Sequence, residues 1–170
     1  MSAYFDVVVI GGGIHGAGVA QAAACGGYSV LLLEQAGLAS ATSGRSSKLI
    51  HGGLRYLEGL HFTLVRESLK ERALLLKLAP ELVRLQAFHI PIFPETSRRP
   101  LTIRAGLSLY ALLGGLRAAN RFRKLRSSEW PDLDGLVTNR LQAVYRYCDA
   151  QADDAALTRA VMRSAMELGA

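Results

Sequence analysis

The run Val7-Val8-Val9-Ile10, followed at once by Gly11-Gly12-Gly13 and a stretch of small residues, constrains the fold more than any other part of the chain. Four β-branched residues without alternation read as a short strand buried on both faces. From Ile14 to Cys25 the residues are mostly small and apolar, among them Ala17, Val19, Ala20 and Ala24, as suits a tightly packed helix that Gly26-Gly27 stops. Val30-Leu31-Leu32-Leu33 reads as a second buried strand, closed by Glu34. Residues 5–34 are therefore expected to form a βαβ unit, of about the usual 30 residues, with its two strands parallel.

Within that unit Gly11, Gly13 and Gly16 spell G-x-G-x-x-G. The bare pattern is weak in a chain with 17 glycines, but its placement is specific: it follows a strand, opens a helix, and has an acidic residue 23 positions after Gly11. Gly11 makes the tight turn, Gly13 lets backbone approach a pyrophosphate, and Gly16 lets the helix pack close to the strand. The helix N-terminus offers unpaired N–H groups to phosphate. Glu34 can accept hydrogen bonds from ribose hydroxyls, and its charge disfavours a 2′-phosphate, hence NADP. The glycines do not choose between FAD and NAD, and a glycine turn that binds nothing is the bland alternative.

The Ser/Thr/Gly-rich loop from Gly37 to Gly53 tips the balance toward FAD. A loop this long is usually functional or disordered. The hydroxyls of Thr42, Ser43, Ser46 and Ser47, with Lys48, suit a long polar ligand, and Gly52-Gly53 allow backbone to approach a flat ring. A merely solvated loop explains the serines but not Leu49, Ile50, Leu54 and Leu57 interleaved with His51, Arg55 and Tyr56.

The block Ser-Ser-Lys-Leu-Ile-His-Gly-Gly-Leu-Arg-Tyr-Leu-Glu (46–58) resembles the signature of the FAD-dependent glycerol-3-phosphate dehydrogenases, of the aerobic, respiratory type. Val-Ile-Gly-Gly-Gly-Ile-His-Gly-Ala-Gly (9–18) is similar to that family's dinucleotide fold, and the likeness continues through Leu64-Val65-Arg66-Glu67, residues 74–80 and Asp153-Asp154-Ala155; residues 97–140 match only loosely. The resemblance implies an α/β, Rossmann-like FAD-binding domain with a parallel sheet. It also implies hydride transfer from C2 of sn-glycerol 3-phosphate to the flavin, giving dihydroxyacetone phosphate, with electrons then passed to a quinone. Gly11, Gly13, Gly16, Glu34, Thr42, Ser43, Ser47, Lys48, Leu49 and His51 match FAD-contacting positions. Arg55 and Tyr56 match the catalytic pocket, where Arg55 would grip phosphate as a bidentate cation and Tyr56 would hydrogen-bond it or a hydroxyl. A surface ion pair is the plainer role for Arg55. His51 is tempting as a general base, but a flavin-site role is favoured because the family's base comes from later in the chain. Family members are several hundred residues long, so the resemblance reads this chain as the N-terminal portion of a larger two-domain flavoprotein, incomplete in its sheet and inactive alone. A different FAD-dependent oxidoreductase of the same N-terminal fold, or a non-catalytic nucleotide-binding fragment, stays open.

Beyond the loop, helical periodicity runs over residues 60–79 through Leu60, Leu64, Leu69, Leu75 and Leu76, a strand is expected at 88–93, an amphipathic helix at 103–118 and a strand at 143–147. A last helix follows Asp153 or Asp154, with a stripe of Leu157, Val161, Ala165 and Leu168. Its closing glycine lies one residue from the end of the chain, where a further parallel strand is expected. Cys25 and Cys148 share no metal-ligand or disulfide spacing and read as buried thiols of a reducing compartment, with no metal site. The N-terminus has neither the basic start and apolar run of a secretory signal nor the Arg/Ser richness of a transit peptide, so a cytoplasmic location is expected.

The net charge of +6 is uneven: Ser97–Ser128 carries +8 with no Asp or Glu, leaving −2 elsewhere. The apolar run there is too short to span a bilayer, which takes about 20 residues. A basic amphipathic helix bearing Ile103, Leu107, Leu109, Leu112, Leu113 and Leu116 suits an anionic bilayer surface, here the inner face of the cell membrane. Pairing of these arginines with carboxylates of a further domain is an equal alternative. Nucleic acid is disfavoured, since aromatic interleaving is sparse and the dinucleotide fold accounts for the rest.

Overall fold

The computed structural model describes residues 4–170, whose elements run β1 (Val7–Ile10), α1 (Ile14–Cys25), β2 (Val30–Leu33), β3 (Leu49–Ile50), α2 (Phe62–Leu78), β4 (Val83–Ile92), α3 (Pro100–Leu113), β5 (Arg123–Lys124), β6 (Ala143–Ala152) and α4 (Asp154–Glu167). They fall into two compact units, residues up to Leu49 with Ala152–Ala170, and Ile50–Gln151.

In the first unit β1 and β2 pair in parallel, Val7 opposite Val30 and Ile10 opposite Leu33, with α1 as the crossover. This is the expected βαβ unit. Its core joins Val9 and Val30 to Ala17, Ala20 and Ala24 of α1 and to Met162 and Ala165 of α4. Alanines at these α1 positions permit close approach of α4, and Gln21 Nε2 donates to Ser164 Oγ at 2.8 Å across that contact. The strand is not buried on both faces as expected. α1 covers only the side bearing Val9, and Val8 and Ile10 are exposed. The buried stripe of α4 is Thr158, Met162 and Ala165 rather than Leu157, Val161, Ala165 and Leu168, a one-residue rotation that sets the larger Met162 against the alanines of α1. Cys25, expected inside, is exposed at the end of α1.

In the second unit β6 lies beside β4 in one sheet, with β5 pairing antiparallel to β6, Arg123 opposite Arg146. Both long strands extend further than expected, β4 starting at Val83 and β6 reaching Ala152. The buried face of α2 is Val65, Leu69 and Arg72; Leu60 and Leu64, expected inside, are exposed. α3 begins at Pro100, which suits the first helical turn, and ends at Leu113 rather than continuing to 118. Gly115 (φ 73°) and Leu116 (φ 56°) turn left-handed there, the Leu116 N–H returns to the Ala111 carbonyl at 2.8 Å, and Asn120 Nδ2 takes the Gly114 carbonyl at 2.6 Å. The helix is thereby capped and stopped.

Among the described residues no helix is long and apolar enough to cross a membrane.

Candidate functional site

In the first unit the glycine turn between β1 and α1 is held from three sides. Gly11 sits at φ 107°, a left-handed conformation that favours glycine. A Cβ on Gly16 would collide with the Gly11 carbonyl oxygen, so α1 can lie this close to the turn only with glycine there. The Gly12 N–H donates to Glu34 Oε2 at 2.6 Å, while Oε1 of the same carboxylate accepts from the Ala36 N–H at 2.8 Å and the Gly37 N–H at 3.3 Å. These backbone donors, Ala36 first and then Gly12, hold the Glu34 carboxyl below its ordinary value, so it is ionised at neutral pH. The Ala39 N–H returns to the Gly12 carbonyl at 3.0 Å, and Ser43 Oγ accepts the Ile14 N–H at 2.9 Å at the start of α1. A Cβ on Gly13 would stand 3.0 Å from Ser43 Oγ, tighter than ordinary contact.

Around this turn lies a cavity of about 620 Å³, lined by Ile10, Gly11, Gly13, Leu33, Glu34, Thr42 and Ser43 together with residues 35–36 and 39–41. Five of the residues expected to touch a cofactor are thus brought together. Gly16 acts from behind the turn, by letting α1 approach. The chemistry of the lining suits an adenine dinucleotide: exposed apolar ends of two strands, a helix N-terminus with its positive dipole end, hydroxyls, and one carboxylate. The short segment 36–41, which covers the turn, carries no sequence signal beyond being small.

Three other expected residues lie elsewhere. Ser47 is exposed. Lys48, held at φ 61°, sends its ammonium to the Asp154 carboxylate and to the Gly44 carbonyl at 3.0 Å, and Leu49 is half-buried in β3. Asp154 also accepts the Ser46 N–H at 3.1 Å, so one carboxylate at the start of α4 fixes residues 46–48. Its presence in the resemblance to Asp153-Asp154-Ala155 was the available signal, but nothing in the spacing connects positions 106 residues apart.

In the second unit His51, Arg55 and Tyr56 are exposed around one turn. Gly52 and Gly53 are buried between them, and Gly53 takes φ 75°, so the chain reverses into a short 3₁₀ helix, Leu54–Leu57, from which Arg55 and Tyr56 project. Leu57 anchors that helix against Val65, Leu69 and Tyr110. The Gly53 N–H donates to His51 Nδ1 at 3.1 Å, and the His51 and Tyr56 rings lie 6.3 Å apart. Through that bond Nδ1 acts as an acceptor. Among the described residues no carboxylate pairs with Arg55.

The family described as FAD dependent oxidoreductase matches residues 6–170. The chain is 48% identical over 168 residues to a glycerol-3-phosphate dehydrogenase of Mycobacterium leprae, covering 98% of this chain and 28% of that protein. It is 43% identical over 165 residues to the D-erythritol 1-phosphate dehydrogenase of Brucella abortus, covering 97% of this chain and 32% of that one. Among solved structures, the glycerol-3-phosphate dehydrogenase from Bacillus halodurans complexed with FAD matches with a TM-score of 0.69 at 27% identity, over 99% of this chain and 26% of that chain. The chain thus spans less than a third of the length of each.

Proposed function

The chain belongs to the FAD dependent oxidoreductase family, and from that premise we propose that its first unit holds the ADP half of FAD. The observation that carries this is the Gly11–Gly16 turn, closed by Glu34 and opening on a cavity lined by Thr42 and Ser43. The α1 N-terminus and the Gly13 backbone would receive the pyrophosphate, and Glu34 would take a ribose hydroxyl while still holding the Gly12 amide. Lys48 would act through the loop it fixes, and Leu49 and His51 would serve nearer the ring.

The proposed reaction, for a protein of the relatives' length, is oxidation of sn-glycerol 3-phosphate to dihydroxyacetone phosphate. Bound FAD would supply the two-electron acceptor, and a quinone is proposed as the onward acceptor. The substrate assignment is supported by the name of a relative 48% identical over nearly the whole chain. It is also supported by Arg55, an exposed guanidinium without a carboxylate partner among the described residues, on a turn that also presents Tyr56 and His51. Arg55 would bind phosphate as a fork and Tyr56 would orient it or a hydroxyl. The relative named for D-erythritol 1-phosphate favours a second reading, in which a longer polyol phosphate is oxidised through the same phosphate grip.

The 170 residues alone are proposed not to turn over, because apolar side chains stand exposed, Ile10 and Leu33 in the cavity lining and Val8 on β1. Attachment to the inner face of the cell membrane is proposed for the basic stretch Ser97–Ser128. Of the helix residues expected to face lipid, Leu107, Leu109, Leu113 and Ile103 pack into the second unit's core, so the apolar contribution falls to Leu101, Leu112 and Leu116.

In the intact protein, Arg55→Ala is expected to raise KM for sn-glycerol 3-phosphate by about 30- to 1000-fold, the loss of one charge-assisted phosphate contact, while flavin content stays unchanged. An unchanged KM, or equal use of unphosphorylated glycerol by the wild type, would overturn the phosphate role. Comparing D-erythritol 1-phosphate as substrate separates the two readings.

A further inference from the structure

Arg72 is 1% exposed and lies on the apolar stripe of α2, where hydrocarbon would be expected. Its guanidinium pairs with the Asp149 carboxylate of β6, donates to Tyr110 Oη at 3.2 Å and to the Cys148 carbonyl at 3.3 Å, and meets the Asn120 side-chain oxygen through Nη2. Nε finds no partner among the described residues. A buried ion pair of this kind is no more stabilising than well-packed apolar side chains of similar volume, so stability does not explain its placement.

What hydrocarbon could not do is hold the backbone of the signature turn. The Gly52 N–H donates to Tyr110 Oη at 3.0 Å and to Asp149 Oδ1 at 3.2 Å. A Cβ on Gly52 would collide with that same hydroxyl and with Leu69, so the turn is seated directly on the cluster. Burial, and then the neighbouring Asp149 charge, push the Tyr110 phenol well above its ordinary value, which keeps it protonated and able to donate to Asp149 while accepting from Gly52 and Arg72. Arg72 thereby orients both acceptors of one amide.

We propose that Arg72, Asp149 and Tyr110 are positioning residues for the reaction: they clamp the Gly52 amide and so set the turn from which His51, Arg55 and Tyr56 project. The proposal rests on the reading of Arg55 as the phosphate grip for its kinetic consequence, but not for its structural one.

Tyr110→Phe in the intact, FAD-loaded protein tests it, since the ring and its packing are kept and only the hydroxyl is lost. Amide hydrogen exchange should accelerate at Gly52 selectively, and KM for sn-glycerol 3-phosphate should rise about three- to tenfold with kcat little changed, the effect of losing one hydrogen bond to the turn. In an Arg55→Ala background the same substitution should raise KM clearly less than in the wild type, the remainder passing through Tyr56, while still accelerating Gly52 exchange. If Arg55→Ala alone leaves KM unchanged, the substrate reading fails and the exchange result still decides the clamp. Unchanged exchange at Gly52 would overturn the clamp, as would acceleration spread evenly over the second unit in step with a lower Tm. A KM effect that persists undiminished without Arg55 would overturn its route through the turn. Should Tyr110→Phe not fold, Arg72→Lys, which keeps the charge against Asp149 but loses the planar fork, carries the same readouts.

Discussion

The Lys48 ammonium is ion-paired with the carboxylate of Asp154, the first residue of α4, and so ties the serine-rich loop to a helix 106 residues later in the chain. The Lys48 hydrogen bond, foremost, and those from Ser46 hold the Asp154 carboxyl far below its ordinary value of 3.8. A depressed carboxyl stabilises the fold fully above its unfolded value, and the contribution is lost as pH falls through the acidic range beneath. Wild-type thermal stability should therefore drop between about pH 5.5 and pH 2.5 by more than that of Asp154→Asn, in which the titrating partner is already gone. Equal acid sensitivity in the two proteins would remove the pair from the account.

The glycine turn makes a steric prediction with an internal control. Gly16 and Gly18 both lie in α1, yet a Cβ on Gly16 strikes the Gly11 carbonyl whereas one on Gly18 meets nothing within 4 Å. Gly16→Ala is expected to destabilise the intact protein by about 2 kcal/mol or more, as backbone overpacking does, and to abolish flavin retention. Gly18→Ala should be neutral or stabilising by about 0.5–1 kcal/mol, since alanine has less backbone freedom to lose in a helix. Denaturant midpoints and flavin absorbance of the two variants check it.

Glu34 makes a chemical one. Both of its oxygens accept backbone N–H groups, from Gly12 on one side and Ala36 on the other. Glu34→Gln preserves shape but must turn its amide nitrogen toward one of those donors, opposing N–H to N–H. Flavin affinity of the intact protein should fall about tenfold, the loss of one hydrogen bond at the turn. Retention of wild-type affinity by the glutamine variant would show that the carboxylate is not what holds this turn.

Local and distant interactions were legible to different degrees. The βαβ unit could be read because each requirement is local: β-branched runs, a glycine pattern and a terminal acid within 30 or so positions. The cavity lining at Gly11, Gly13, Glu34, Thr42 and Ser43 follows from the same compactness. The end of α3 was missed because leucine periodicity continues through Leu116 while the left-handed turn at Gly115 and the Asn120 cap do not show in periodicity. The Arg72 cluster was invisible for another reason. Its members stand on α2, α3, β6 and a connecting turn, and a lone arginine at helical spacing reads as a solvated face until its neighbours in space are known.

Membrane attachment is the prediction that the packing has changed most. α3 spends Leu107 and Tyr110 on the core, which leaves Leu101 and Leu112 beside Arg104 on its exposed side, with Leu116 and Arg117 just beyond its end. Two of the eight cations are already engaged, Arg98 by Glu58 and Arg123 by Glu129, whereas among the described residues no carboxylate pairs with Arg99, Arg104, Arg117 or Arg121. With so little apolar surface, binding should be mainly electrostatic, each cation near an anionic surface contributing about 1 kcal/mol. The intact protein is then expected to sediment with phosphatidylglycerol-containing vesicles at low salt, not with neutral ones, and to be released as the Debye length shrinks. The double variant Arg104→Ser, Arg117→Ser should weaken that binding about 30-fold, two such contributions. Binding indifferent to lipid charge and salt would refute the electrostatic account, and no binding at all would leave these arginines to carboxylates elsewhere in a longer protein.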